Sequence, residues 1–383
     1  MNIPLTVLNL LHQRLRTAVA LAGVAFAVLL VFMQLGFLAS AQTAAVILLD
    51  KFDFDAAIVS ADYMEVSRAS SFPRPRLDQF LSVPGVERVA PVYVSGNLWR
   101  IVDDDATRHG RRRSIMVVGF DLNNHVLCDP AINRQLDLLK VQGSLLIDTQ
   151  TRKYFGERDI QVETDLGAGR IRVAGKFTIG TGYGADGLVV MSDRTFSDVF
   201  GGYPLDRVSV GLIKFAPGAC AEDVAAALGR LQMPNDEIRV LTRRQLLDKE
   251  TRFWVEKTAV GKIFTFGVVV ALVVGMVFVY QVLSSDITNR YPEYATLKAM
   301  GYSPAYLSWL VVQQALLYAV IGYVPGLLLA YTLYGLAATS IGLPIWMTAG
   351  RALAVFLLAL GMCVASGLLA MRKVQTADPA DLF

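Results

Sequence analysis

Apolar residues fall along this chain in four long blocks. Stretches without a single charged side chain run over 17–49, 263–285, 299–350 and 352–371. A hydrocarbon core about 30 Å thick takes roughly 20 apolar residues in helical form, so each block predicts one membrane-spanning helix. The third block has length enough for two, but Gly342, Pro344 and the amphipathic stretch Ile345 to Met347 interrupt its second half. One long helix over 304–336 and a short loop over 337–350 are predicted there, with the other spans at 17–49, 259–285 and 351–371. The first block continues uncharged from Thr17 to Leu49, too long for the roughly 7–15-residue apolar region of a cleaved secretory signal. It also exceeds what a bilayer needs at about 1.5 Å per residue, so its far end is expected to stand outside as a stalk.

Between the first and second blocks the pattern changes to short β-rich runs alternating with amphipathic helical ones. Arg76 to Val83 reads as a helix ending at Pro84-Gly85. Val89 to Val102 and Ser114 to Phe120 read as a strand hairpin, Asp206 to Phe215 and Ile238 to Leu241 as strands, and Ala221 to Leu231 as a helix. Two porter-like β-α-β halves, about 50–124 and 205–241, are expected to flank an inserted β-rich subdomain over about 125–204 with strands near Ser144 to Ile147 and Arg170 to Ile179. From Thr242 a stalk helix over about 242–258 is expected to run without a break into the second span, with Phe253 and Trp254 as an aromatic interface anchor or a stalk contact. Residues 1–16, with Leu8, Leu11 and Leu15 at helical spacing, predict an amphipathic helix on the membrane surface. The fold class is thus an α+β membrane protein: four transmembrane helices with a large α+β domain, 50–258, inserted between helices 1 and 2.

Composition agrees. The mean hydropathy is +0.45, with 54% hydrophobic and 18% charged residues, too apolar for an ordinary soluble enzyme. A net charge of +3 lacks the basic excess of a nucleic-acid binder, and no nucleic acid is expected as a partner. Residues 50–262 hold 29 of the 36 basic and 29 of the 33 acidic side chains, which makes that region water-facing. Arg14 and Arg16, Arg290 and Lys298, and Arg372 and Lys373 lie on one side of a four-span layout. The positive-inside rule puts that side, with both termini and the tail 372–383, in the cytoplasm and the large domain outside. Cys128 and Cys220 fall in the outer domain, where a disulfide and two separate thiols both remain open readings.

The most specific local stretch is SDITNRYPEYATLKAMGYSP, Ser285 to Pro304. Pro292 suits a first helical turn, Gly301 a C-terminal cap, and Ser303-Pro304 an N-cap with a first-turn proline for the next span, so a short helix over 286–303 is predicted. The chain has no phosphate-cradling G-x-x-x-x-G-K-[ST] loop, and Gly180, Gly182 and Gly184 read as a turn between strands. Nor does it contain H-E-x-x-H or G-x-S-x-G, so no catalytic residue and no metal ligand is assigned. Asp103, Asp104 and Asp105 before Arg108, His109, Arg111, Arg112 and Arg113 read as a solvated hairpin tip, with an anionic headgroup, a cation or an adaptor as the alternative. The spans carry few ionisable groups, which speaks against a proton-coupled pump.

EYATLKAMGYS, with YQVLSSDITNR before it, resembles the coupling-helix region of DevC-type permeases in the MacB and FtsX-like ABC transporter superfamily. VPGVERVAPV (Val83 to Val92), GLIKFAPGA (Gly211 to Ala219), VLTRRQLLDKE (Val240 to Glu250) and the final DPADLF (Asp378 to Phe383) resemble it too. The resemblance extends over essentially the whole chain. It implies a permease with a MacB-like periplasmic domain in a type VII ABC transporter-like layout, placed in the bacterial inner membrane as a homodimer. It implies ATPase coupling through Asn289, Arg290, Glu293, Tyr294, Ala295, Thr296, Leu297, Lys298, Ala299, Met300 and Gly301. No cofactor is implied in this chain; ATP and Mg belong on a separate cytosolic DevA-like ABC ATPase. A DevB-like membrane-fusion adaptor and an outer-membrane TolC-like channel complete the implied export machine, which works by mechanotransmission on glycolipid or another amphipathic cargo. A lipoprotein-releasing or peptide-handling permease and an FtsX-like sensor controlling a cell-wall hydrolase are the alternatives.

Overall fold

A computed structural model describes residues 14–103, 105, 109–180, 185–231, 237–289, 296, 300–341 and 343–375. The chain divides into two compact units, 41–258 and the remainder.

The 41–258 unit is built on a nine-stranded sheet whose order is β11-β1-β10-β3-β4-β8-β5-β7-β6, taking the strands as β1 Ala56–Ser60, β2 Phe72–Pro73, β3 Val86–Arg100, β4 Arg112–Phe120, β5 Ser144–Asp148, β6 Glu163–Leu166, β7 Gly169–Phe177, β8 Leu188–Ser192, β9 Arg207–Val208, β10 Val210–Phe215 and β11 Ile238–Thr242. β2 and β9 form a separate short pair. The 15-residue β3 organises the whole. Its first half pairs with β10, from Val86 opposite Phe215 to Val92 opposite Val210. Its second half pairs with β4 and, at Trp99 opposite Leu166, reaches β6. Strands β3, β4, β8, β5, β7 and β6 therefore close on themselves. The predicted 89–102 and 114–120 hairpin is the β3–β4 pair.

Central strands are buried on both faces because alternate residues serve different cores. Ala56 and Ile58 of β1 join one apolar cluster, which holds Trp99, Phe155 and Phe196, while Ala57 and Val59 join another with Phe52, Phe54 and Leu246. Val189 and Met191 of β8 part from Leu188 and Val190 in the same way. Each such Val, Ile or Leu, fully buried, contributes about 1.5–3 kcal/mol before entropy.

The expected β-rich 125–204 stretch supplies strands β5 to β8, which hydrogen-bond into the sheet that also holds β1 and β10. One expectation is corrected here: no single helix runs from Thr242 into the second span. A capping box starts a helix at Arg243–Arg252, with Thr242 Oγ1 accepting from Gln245 N at 3.3 Å and Gln245 Oε1 accepting from Thr242 N at 3.0 Å. This helix gives way to a π turn over Phe253–Lys257, and Thr258 is extended, with φ −87° and ψ 155°. Two aromatic residues followed by β-branched Val255 supply little to hold regular α geometry.

In the other unit the described helices are α1 (Arg14–Val46, of which residues up to Ser40 belong here), α7 (Ala259–Asn289), α8 (Pro304–Ile341) and α9 (Ala349–Gln375). The shorter helices between α1 and α7 are α2 Pro75–Leu81, α3 Pro130–Asn133, α4 Asp193–Val199, α5 Ala221–Arg230 and α6 Arg243–Arg252. All four long helices are apolar enough to cross a membrane. They pack through small residues: a Cβ on Gly322 or Gly326 of α8 would collide with Val24 or Val28 of α1. Close backbone approach of this kind holds helices together where the hydrophobic effect between them is absent. Exposed Ile263, Phe266, Val273, Leu353 and Leu357 give the bundle an apolar outer surface. The expected surface helix over 1–16 falls outside the described residues except for its end, where α1 begins at Arg14.

Candidate functional site

The candidate site is the connection between the second and third spans. Its entry is the last turn of α7, where Thr288 Oγ1 donates to Ser284 O at 2.8 Å and Asn289 Nδ2 donates to Ser285 O at 2.7 Å. The Thr288 hydroxyl and the Asn289 side-chain amide thus bond back to carbonyls one turn earlier in the helix. Its exit is set by Gly301, at φ +90°, and by Ser303, whose Oγ accepts from Tyr306 N at 3.3 Å at the start of α8. The positive φ is the reason a glycine suits this place, and Ser303-Pro304 is the predicted cap and first-turn proline. Met300 N donates to Thr296 O at 3.0 Å, one helical turn back.

Of the sequence-predicted coupling residues, Asn289, Thr296, Met300 and Gly301 are described. Arg290, Glu293, Tyr294, Ala295, Leu297, Lys298 and Ala299 lie outside the described residues. Met300 is 63% exposed, and next to it Tyr302 stacks on Tyr306 with ring centroids 5.0 Å apart. An exposed Met and paired tyrosines make an adaptable apolar contact surface.

Sequence reading missed the group that holds this connection at its base. The sequence pattern puts Asp286 in the connecting segment 286–303. It lies instead within α7 and is 8% exposed. Its Oδ2 accepts from Gln314 Nε2 at 2.8 Å and from the Tyr318 hydroxyl at 3.0 Å, and Gln314 Nε2 also donates to Tyr318 at 3.1 Å. Gln314 and Tyr318 are four residues apart, so they share one face of α8. Both ends of the connection are thereby tied to each other through one carboxylate. The signal was present as Gln314 and Tyr318 at helical spacing in an apolar block, but nothing in that spacing named their partner.

In the 41–258 unit the other candidates separate. Arg111 and Arg112 are exposed beside the β3–β4 turn, where Gly110 N donates to Ile101 O at 2.9 Å. Asp104 and Arg108, like Gly182 and Gly184, lie outside the described residues. Gly180 N and Ile179 N donate to Asp148 Oδ2 at 2.6 and 3.2 Å, so the glycine-containing segment is held by a buried carboxylate. Burial raises the Asp148 pKa against the pull of those amides. Cys128 and Cys220 are free and exposed. Trp254 lines a shallow apolar cleft with Ala44, Ile47, Leu48, Met116 and Leu188.

Residues 265–379, which include most of α7 and all of α8 and α9, match the family model described as FtsX-like permease C-terminal. The match falls on the last three spans, and the Asp286 cluster and the connection between the second and third spans both lie inside it. No curated protein matches the chain. Among solved structures, the periplasmic region of MacB from Actinobacillus actinomycetemcomitans is similar at 8% identity and a TM-score of 0.34, covering 50% of this chain and 90% of that one. The extracellular domain of the noncanonic ABC-type transporter YknZ from Gram-positive bacteria is similar at 13% identity and a TM-score of 0.32, covering 49% and 98%. Both likenesses are too distant to bear on function.

Proposed function

We propose that this chain is the permease subunit of a DevC-type ABC exporter. A separate cytosolic ATPase, carrying ATP and Mg, grips the 289–301 connection, and its closure moves the spans and through them the outer domain. The observation that supports this most is the FtsX-like permease match over the last three spans, joined to a large α+β domain between the first and second. In this reading the protein works as a homodimer in the inner membrane with its termini cytoplasmic and its large domain periplasmic. An adaptor and an outer-membrane channel receive an amphipathic cargo.

The residues on which the ATPase grip depends are Arg290, Glu293, Tyr294, Leu297, Lys298 and Met300. Glu293→Lys or Lys298→Glu is expected to reduce co-purification of the ATPase about tenfold or more, the size of effect of breaking a charged contact at an interface, without reducing membrane insertion. Leu297→Pro, which breaks a helix, is expected to abolish it. Undiminished co-purification in all three variants contradicts the reading. Recovery of an adaptor and channel with the complex supports export, whereas recovery of a cell-wall hydrolase alone supports the sensor.

A further inference from the structure

The segment VLTRRQLLDKE, Val240 to Glu250, takes no part in the coupling described above. It forms the end of β11 and most of α6. Along α6, Leu246 and Glu250 lie one turn apart and both are fully buried. A buried leucine is ordinary, but a buried acid requires compensation. Glu250 Oε1 accepts a hydrogen bond from the hydroxyl of Tyr63, itself 2% exposed, in the segment after β1. Glu250 Oε2 is buried too, and the Val66 amide acts on the carboxyl.

The charges around this carboxyl do not favour a second one. Glu65, 5% exposed, faces it from the same segment as Tyr63 and is paired with Arg68 at 3.7 Å. From α6 itself, the Lys249 ammonium stands over the Tyr63 ring at 5.4 Å. Arg239, on β11, acts on Lys249. The other end of α6 is secured separately, by its capping box and by Arg243, which donates to Phe52 O at 2.9 Å and reaches Asp50 Oδ1 at 3.3 Å. What the Glu250–Tyr63 contact holds is therefore the last turn of α6, next to the π turn at Phe253–Lys257.

We propose that Glu250 is a proton-operated latch: the neutral acid seats the last turn of α6 against Tyr63, and loss of the proton to water accompanies release of that turn. Burial, reinforced by Glu65, raises Glu250 from 4.5 to about 8, against the opposing pull of the Tyr63 hydroxyl, the Val66 amide and Lys249. Tyr63 is itself raised well above 10 by burial and by Glu250, so the phenol keeps its proton throughout. A released glutamate in water titrates near its ordinary value. The seated state therefore holds the extra proton between 4.5 and about 8. In that window the released state gains about tenfold for each unit of pH, and the gain levels off above the upper value.

Hydrogen exchange on the full chain in lipid nanodiscs tests this, at pH 5.5 and 8.0 with rates normalised to intrinsic exchange. Peptides over 246–257 are expected to lose protection more than tenfold between the two pH values, while β5 peptides hold theirs. Glu250→Gln is expected to abolish the response; Glu250→Met, of similar length, serves if the glutamine variant does not fold. Lys249→Met keeps the response, and Tyr63→Phe, which removes a donor to the carboxylate, extends the rise beyond pH 8. Equal protection at both pH values in the native chain overturns the proposal. So does a native-like response in Glu250→Gln, or its loss in Lys249→Met.

Discussion

Single carboxylates hold much of this molecule, and each does so by a different balance. Asp148, 1% exposed, survives burial because three backbone amides, those of Gln150, Ile179 and Gly180, donate to it. Asp148→Ala would leave those donors unpaired and is expected to lower unfolding stability by about 2–3 kcal/mol, measured by denaturant titration of the full chain in detergent. Gly156 shows the same dependence on one residue type. At φ +77°, with Val102 O where a Cβ would stand, it bridges to Val102. Gly156→Ala is expected to cost more than about 1 kcal/mol in the same assay. Neither residue stood out in the sequence. An aspartate at a strand end and a glycine in a loop are common, and apart from the nearby Gln150 amide their partners lie 31, 32 and 54 positions away.

At the scale of elements, strands and spans were readable where periodicity or hydropathy ran long. The hairpin of β3 and β4 is written in β-branched and aromatic residues, and the four spans in blocks without charge. What could not be read was closure. Trp99 opposite Leu166 turns part of the sheet back on itself, and such a non-local pairing leaves no local pattern. The break at Thr258 was hidden for the opposite reason, since the sequence from Arg243 to Phe266 is locally compatible with helix. Between α7 and α8, Asp286 replaces apolar packing with hydrogen bonds. Asp286→Ala would strip Gln314 and Tyr318 of their shared acceptor and is expected to destabilise the bundle by about 1–2 kcal/mol, whereas Asp286→Asn retains an acceptor and loses less. Thermal unfolding in detergent, comparing the two variants, measures the difference. Equal stability of all three proteins would remove Asp286 from this role.

At the scale of the whole molecule, the layout of one span, a large domain and three further spans was legible from hydropathy and charge distribution alone, because solvent and bilayer sort residues over tens of positions. The coupling stretch was legible only through resemblance. Most of its charged and apolar contact residues lie outside the described residues, and Met300 is among the exposed side chains that mark the connection in the structure. The proposed transmission requires this connection to meet an ATP-hydrolysing partner in the cytosol. Photocrosslinking in intact cells, from a photoreactive residue substituted at Met300, tests that requirement most directly. Capture of an ABC ATPase chain, lost in Leu297→Pro, is the expected result; crosslinks solely to proteins or reagents on the outer side of the membrane would contradict the account.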